Sequence, residues 1–106
     1  MSFLNLFSRG SSLKAGLQQA QSTPGAILLD VRTPEEYEQG HLPGSLNLPL
    51  AEIHTISLPT EQPLFVYCLS GGRSAQACSH LRKRGYTATN IGGLMGYQGP
   101  LQQGGN

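Results

Sequence analysis

The stretch "PLFVYCLSGGRS", residues 63–74, joins an apolar run to a thiol and then to a glycine-rich loop. The run Leu64–Cys68 is short, mostly apolar and unbroken, which predicts a strand buried on both faces of a sheet. Nothing in the packing of such a strand requires the sequence Ser-Gly-Gly-Arg directly after Cys68. The stretch therefore predicts a strand that ends in a functional loop, with a cysteine where the two meet.

The rest of the chain alternates between helical and strand patterns. Thr33, Pro34 and Glu36 have the spacing of an N-cap, a first helical residue and a capping box, and Gly40 is placed to end that helix. Alternation of this kind predicts an α/β domain with a mainly parallel sheet and helices on both faces. Helices are predicted near residues 13–21, 33–40, 51–56 and 74–85, and strands near 26–31, 44–50, 64–68 and 86–91.

Length and charge restrict the possible functions. A chain of 106 residues predicts a single domain, with a core over residues 11–101 and a flexible, glycine-rich tail over 102–106. A net charge of +1 gives no basic surface for nucleic acid or for an anionic membrane. No stretch is apolar enough for a secretory signal or a membrane span, so we expect a cytoplasmic protein.

The two cysteines do not fit a structural role together. Cys68 and Cys78 lack the short paired spacings of a zinc site or of a secreted disulfide framework. We therefore expect no metal, and nothing else in the sequence implies an organic cofactor. Cys78 lies on the apolar stripe of its predicted helix with Leu81, which predicts burial, whereas Cys68 is the candidate nucleophile.

The loop after Cys68 has the composition of an anion-binding site. Gly71 and Gly72 can adopt positive φ, so that successive N–H groups turn toward one centre. The helix that begins near Arg73 adds its own free amides and the positive end of its dipole. This surrounding predicts a lowered pKa for Cys68, with Leu69, Ser70, Gly71, Gly72 and Arg73 binding a small anionic substrate.

The length of the loop bears on the type of substrate. Four residues separate Cys68 from Arg73, whereas cysteine phosphatases of the C-x5-R type use five to surround a tetrahedral phosphate. The tighter loop favours a persulfide on Cys68 over a phosphate. A small cysteine phosphatase or an arsenate reductase stays as an alternative.

Three motifs in this order resemble the rhodanese (thiosulfate sulfurtransferase) superfamily in its single-domain form. They are "LLDVRTPEEYEQGHLPGSLNLP", "VYCLSGGRS" and "LRKRGYTATNIGGLMGY", and the resemblance extends over roughly residues 13–101. It implies a domain around a five-stranded parallel sheet, with Cys68 as the catalytic cysteine and residues 69–73 as its binding loop. Cys68 would take sulfane sulfur from thiosulfate or a related persulfide and pass it to cyanide, a thiol or a thioredoxin-like protein.

Two residues outside the loop, Asp30 and Arg32, are expected to have supporting roles. Asp30 and Arg32 follow the first predicted strand, and we expect Arg32 to pair with Glu36 or Glu35 and to connect that strand to the next helix.

Leu69 is uncharged where some members of the resembled family have basic residues, so capture of a dianion would depend on Arg73 and on backbone amides. Because modules of this family that only bind a partner often lack the cysteine, Cys68 favours catalysis over such a module.

Overall fold

Helices and strands alternate along the computed structural model, which describes residues 9–105. Among these residues, no helix has both the length and the apolar character needed to cross a membrane. In chain order the elements are α1 (Arg9–Gln21), β1 (Ile27–Asp30), α2 (Pro34–Gln39), β2 (Leu46–Asn47), a 3-10 helix (Leu50–Thr55), β3 (Leu64–Cys68), α3 (Gly72–Lys83) and β4 (Ala88–Gly93).

The strands form one parallel sheet in the order β2-β1-β3-β4. The predicted α/β class with a parallel sheet is confirmed, but the expected number of five strands is wrong for residues 9–105, which contribute four. The sequence itself contains four strand patterns, and the fifth strand was implied only by the family resemblance. Outside the named strands, the described residues form one isolated antiparallel bridge, between His41 and Gln102.

Alternate residues of β3 pack on opposite faces of the sheet. Leu64, Val66 and Cys68 belong to a core cluster with Cys78 and Leu81 of α3. Phe65 and Tyr67 belong to a second cluster, which Leu13 of α1 and Ile91 of β4 complete. All five residues of β3 are buried, as expected for the central strand of a sheet covered by helices on both faces. The predicted burial of Cys78 is confirmed.

The start of α2 follows the predicted capping box. The Thr33 side chain accepts a hydrogen bond from the Glu36 amide at 3.2 Å, and the Glu36 carboxylate accepts one from the Thr33 amide at 3.0 Å. Two backbone donors that the first turn would otherwise leave free are thus satisfied. The box fixes the backbone position of Glu36.

The glycine-rich end of the chain is attached to the domain as far as Gly104. Gln102 and His41 exchange two backbone hydrogen bonds of 2.8 and 2.9 Å, and the Gly104 amide donates to the Glu38 carbonyl at 2.8 Å. These partners lie in or just after α2. The contacts reach into the segment 102–106 that the glycine content predicts as a flexible tail.

Candidate functional site

Cys68 lies at the carboxyl end of β3, where the loop to α3 begins. Cys68 is fully buried. The backbone on each side is tied to the end of β4, because the Leu94 amide donates to the Cys68 carbonyl at 3.0 Å and the Met95 amide donates to the Leu69 carbonyl at 2.9 Å. We call the segment 68–74 the Cys68 loop. Its first two residues are therefore held in place by backbone hydrogen bonds to the residues that follow β4.

Two backbone amides and one hydroxyl surround the Cys68 sulfur. The Gly71 amide lies 3.0 Å from Sγ, and the amide and hydroxyl of Ser74 each lie 3.4 Å from it. Burial alone would raise the pKa of Cys68, but hydrogen bonds from the Ser74 hydroxyl and from the Ser74, Gly71 and Ser70 amides outweigh it. The pKa of Cys68 lies below its ordinary value, whereas burial raises the pKa of Cys78.

The turn of the loop requires one glycine rather than two. Gly71 has a φ of +100°, in the left-handed region that favours glycine. Gly72 does not adopt the positive φ that glycine permits, because it is already the first residue of α3 and has helical geometry. The amides that reach the sulfur are thus supplied by one sharp turn followed directly by the first turn of a helix.

Ser74 and Asn90 complete the hydrogen-bond network of the loop, and the sequence predicted no role for either. The Ser74 hydroxyl donates to the Asn90 side-chain carbonyl oxygen at 2.7 Å. The Asn90 side-chain amide donates to the Gly71 carbonyl at 3.1 Å, and its carbonyl oxygen accepts from the Gly92 amide at 3.0 Å. Asn90 therefore fastens the turn at Gly71 to β4. Ser74 stood within the decisive stretch, but nothing in the sequence marked Asn90.

Arg73 does not lie free in the loop. Its guanidinium forms two hydrogen bonds with the Glu36 carboxylate, at 2.7 Å from Nη1 to Oε1 and 3.1 Å from Nη2 to Oε2. The hydrogen bond from Arg73 is the main cause that lowers the pKa of Glu36 from 4.5 to about 2. Glu36 is therefore ionised at neutral pH, and the pair carries no net charge.

Arg32 and Asp30 form a second, buried ion pair at the end of β1. The Arg32 guanidinium donates to both Asp30 carboxylate oxygens at 2.7–3.1 Å and to the Gly40 carbonyl at 2.7 Å. The expected pairing of Arg32 with Glu36 or Glu35 is wrong. Residues two apart on an extended segment point to the same side, so Asp30 reaches Arg32 first, and Glu36 is occupied by Arg73.

An open cavity of about 560 Å³ adjoins the Cys68 loop on the side of α1 and β4. Its lining includes Leu69, Ser70 and Gly71 of the loop, together with Asn90 and Met95. Leu69 and Met95 are 39% and 49% exposed, so two large apolar side chains face solvent beside the loop, next to the exposed polar residues Ser70 and Asn90. In the described part of the chain, no three His, Cys, Asp or Glu side chains cluster closely enough to hold a metal ion.

Comparison with known proteins matches residues 12–99 to the model of the rhodanese-like domain. A protein named sulfurtransferase from Allochromatium vinosum is 41% identical over 71 residues, which are 65% of this chain and 66% of that protein. The thiosulfate sulfurtransferase PspE of Escherichia coli is also 41% identical over 71 residues, 62% of this chain and 68% of PspE. The chain thus spans about two thirds of each relative.

A solved structure described as a rhodanese with anions from Escherichia coli superimposes with a TM-score of 0.66. It is 37% identical in sequence, and the match covers 74% of this chain and 99% of that one. The likeness therefore extends from sequence to fold.

Proposed function

The chain belongs to the rhodanese-like domain family, and from this premise we propose that it is a sulfurtransferase that carries sulfane sulfur as a persulfide on Cys68. The observation that carries the proposal is the set of donors around Sγ, from Gly71 at 3.0 Å and from Ser74 at 3.4 Å. Donors in this arrangement stabilise a thiolate, and the thiolate is the nucleophilic form of cysteine.

The reaction consists of two displacements at sulfur. In the first, the Cys68 thiolate attacks the outer sulfur of thiosulfate, the S–S bond of the donor breaks, and sulfite leaves with the bonding electrons. In the second, a cyanide ion or a thiolate attacks the outer sulfur of the Cys68 persulfide and regenerates the Cys68 thiolate. An organic persulfide can replace thiosulfate, with its thiol as the leaving group. Each displacement is a sulfur exchange that needs no metal and no organic cofactor.

The loop contributes electrostatic stabilisation rather than proton transfer. Each state of Cys68 in this cycle, thiolate or persulfide, has a negative charge near the Gly71 and Ser74 amides. Fixed amides need no reorganisation as the charge moves from one sulfur to the next. Asp30 and Arg32 neutralise one another at the neighbouring strand end, 2.7 Å apart.

Intact-protein mass spectrometry tests this proposal. After treatment with thiosulfate or with an organic persulfide, the wild-type protein is expected to gain the mass of one sulfur atom, and cyanide is expected to remove it. Cys68→Ser is expected to gain nothing, whereas Cys78→Ser, the matched control at the other cysteine, gains the sulfur as the wild type does. An unchanged wild-type mass with both donors would overturn the proposal.

A further inference from the structure

The Cys68 loop contains a single charged side chain, and that charge is already balanced. Of residues 69–74, only Arg73 is ionic. Both of its donor nitrogens face the Glu36 carboxylate in a two-bond arrangement, and the two side chains are only 35% and 30% exposed. Planar two-bond pairing of this kind fixes the guanidinium as well as neutralising it.

Glu36 holds this position independently of Arg73. Its carboxylate also accepts hydrogen bonds from the amide and hydroxyl of Thr33, at 3.0 and 3.2 Å. These bonds orient the carboxylate toward the loop. Arg73 follows Cys68 by five positions in the same loop, and the hydrogen bond from Arg73 to Glu36 is the main cause that raises the pKa of Arg73, with the Cys68 sulfur a smaller one. Glu36 thus neutralises the cation that would otherwise act on an anion at Cys68.

Among the residues that the structure describes, the other groups at this site add no free positive charge. Arg32, the buried guanidinium of the neighbouring strand end, is paired with Asp30 at 2.7 Å. The exposed residues next to the loop, which include Leu69, Ser70 and Met95, are uncharged. Stabilisation of an anion is therefore left to neutral amide dipoles. Such dipoles suit one negative charge, whereas a dianion profits from a nearby cation in proportion to its charge.

We propose that Glu36 determines the donor preference of this site: by neutralising Arg73, it disfavours the thiosulfate dianion and favours the persulfide of an uncharged thiol. The inference rests on the proposed function, because it concerns the donor of the same Cys68. In the favoured reaction, the Cys68 thiolate attacks the outer sulfur of R–S–SH and the S–S bond of the donor breaks. The departing thiolate takes the proton of the outer sulfur and leaves as R–SH, so that Cys68 keeps an anionic persulfide.

Glu36→Gln separates the charge of Glu36 from its structural role. Glutamine also completes a capping box, so α2 keeps its first turn while the negative charge disappears. Glu35→Gln is the matched control, because Glu35 is the adjacent, exposed carboxylate of the same helix and forms no bond with Arg73 among the described contacts. Both variants change the net charge of the protein equally.

The experiment measures single-turnover loading of Cys68 from two donors, thiosulfate and the persulfide of 2-mercaptoethanol. We expect Glu36→Gln to raise the second-order loading rate with thiosulfate about tenfold, the size expected for one partly exposed charge acting on a dianion. The persulfide has at most one negative charge, so its loading rate is expected to change no more than about threefold, because the interaction scales with the charge of the donor. Glu35→Gln is expected to match the wild type with both donors. The thiosulfate gain should shrink at high salt.

A double variant tests whether Glu36 acts through Arg73. In Glu36→Gln with Arg73→Gln, the gain in thiosulfate loading is expected to disappear. An unchanged thiosulfate rate in Glu36→Gln, an equal gain with both donors, or a gain that survives in the double variant would each overturn the inference. These results differ from a failure of the proposed function, in which neither donor loads wild-type Cys68 at all.

Discussion

The Ser74 hydroxyl offers a direct test of how the loop activates Cys68. Ser74→Ala removes one of the donors around Sγ and leaves the Gly71 and Ser74 amides in place. It leaves the other groups of the network bonded, because Asn90 still accepts from the Gly92 amide and still donates to the Gly71 carbonyl. A change in the ionisation of Cys68 then reports the loss of the hydroxyl, including its bonds to Asn90 at 2.7 Å and to the Gly71 carbonyl at 3.1 Å.

The geometry of the hydroxyl limits the size of the effect. It has one proton, and its 2.7 Å contact with Asn90 is much shorter than its 3.4 Å contact with Sγ. The sulfur therefore receives only a share of that donor, so we expect about 1 kcal/mol rather than the 1.5–3 kcal/mol typical of a hydrogen bond to a charged group. The substitution should raise the pKa of Cys68 and reduce its thiolate-to-thiol ratio about fivefold at a given pH.

Ultraviolet absorbance of the thiolate measures this ratio without requiring a reagent to reach the buried sulfur. The Cys68 signal is the difference between each protein and its Cys68→Ser counterpart, titrated across pH. Ser70→Ala is the matched control, because Ser70 is exposed and its hydroxyl makes no described contact with Sγ. A Ser74→Ala titration that coincides with the wild type, or an equal displacement in Ser70→Ala, would refute the reasoning.

Two further predictions concern the support of the loop. Gly93→Ala should abolish sulfur loading and lower the thermal midpoint of unfolding, because the added Cβ would collide with the Leu69 backbone. Gly72→Ala is the control, because there is open space around its Cβ, and it should change neither quantity by much. Loading retained in Gly93→Ala would contradict this. Since the folded-state pKa of Glu36 is lowered from 4.5 to about 2, its stabilisation is present above about pH 4.5 and is lost as the pH falls toward 2. Urea unfolding should therefore show the wild type losing about 1 kcal/mol more than Glu36→Gln over that range, and equal losses would count against it.

The features that the sequence predicted well depend on residues close together in the chain. Thr33 and Glu36 are three positions apart, so their capping box could be predicted from local spacing alone. The strand that ends at Cys68, the turn at Gly71 and the helix after it are likewise local, because an apolar run, a glycine and a helix start each specify nearby backbone geometry.

The features that the sequence did not predict depend on distant residues. Glu36 and Arg73 meet although they are 37 positions apart, and their meeting explains both why Arg32 has another partner and why Arg73 is not free. Asn90 reaches the loop only because β4 pairs with β3. Spacing along the chain contains no information about such contacts. The fifth strand was expected from the family resemblance alone, because the sequence contains no fifth strand pattern.

The complete burial of Cys68 also has a consequence for the handling of oxidants and partners. A bare sulfur beneath the loop is shielded from bulky disulfides, so the resting protein is protected from becoming cross-linked to other chains. A second sulfur bonded to Cys68 would lie about 2 Å farther from the backbone, and so closer to the surface of the loop. An acceptor would then reach the transferred sulfur only while Cys68 carries it. Once the sulfur is transferred, Cys68 is again buried and offers the acceptor no accessible sulfur.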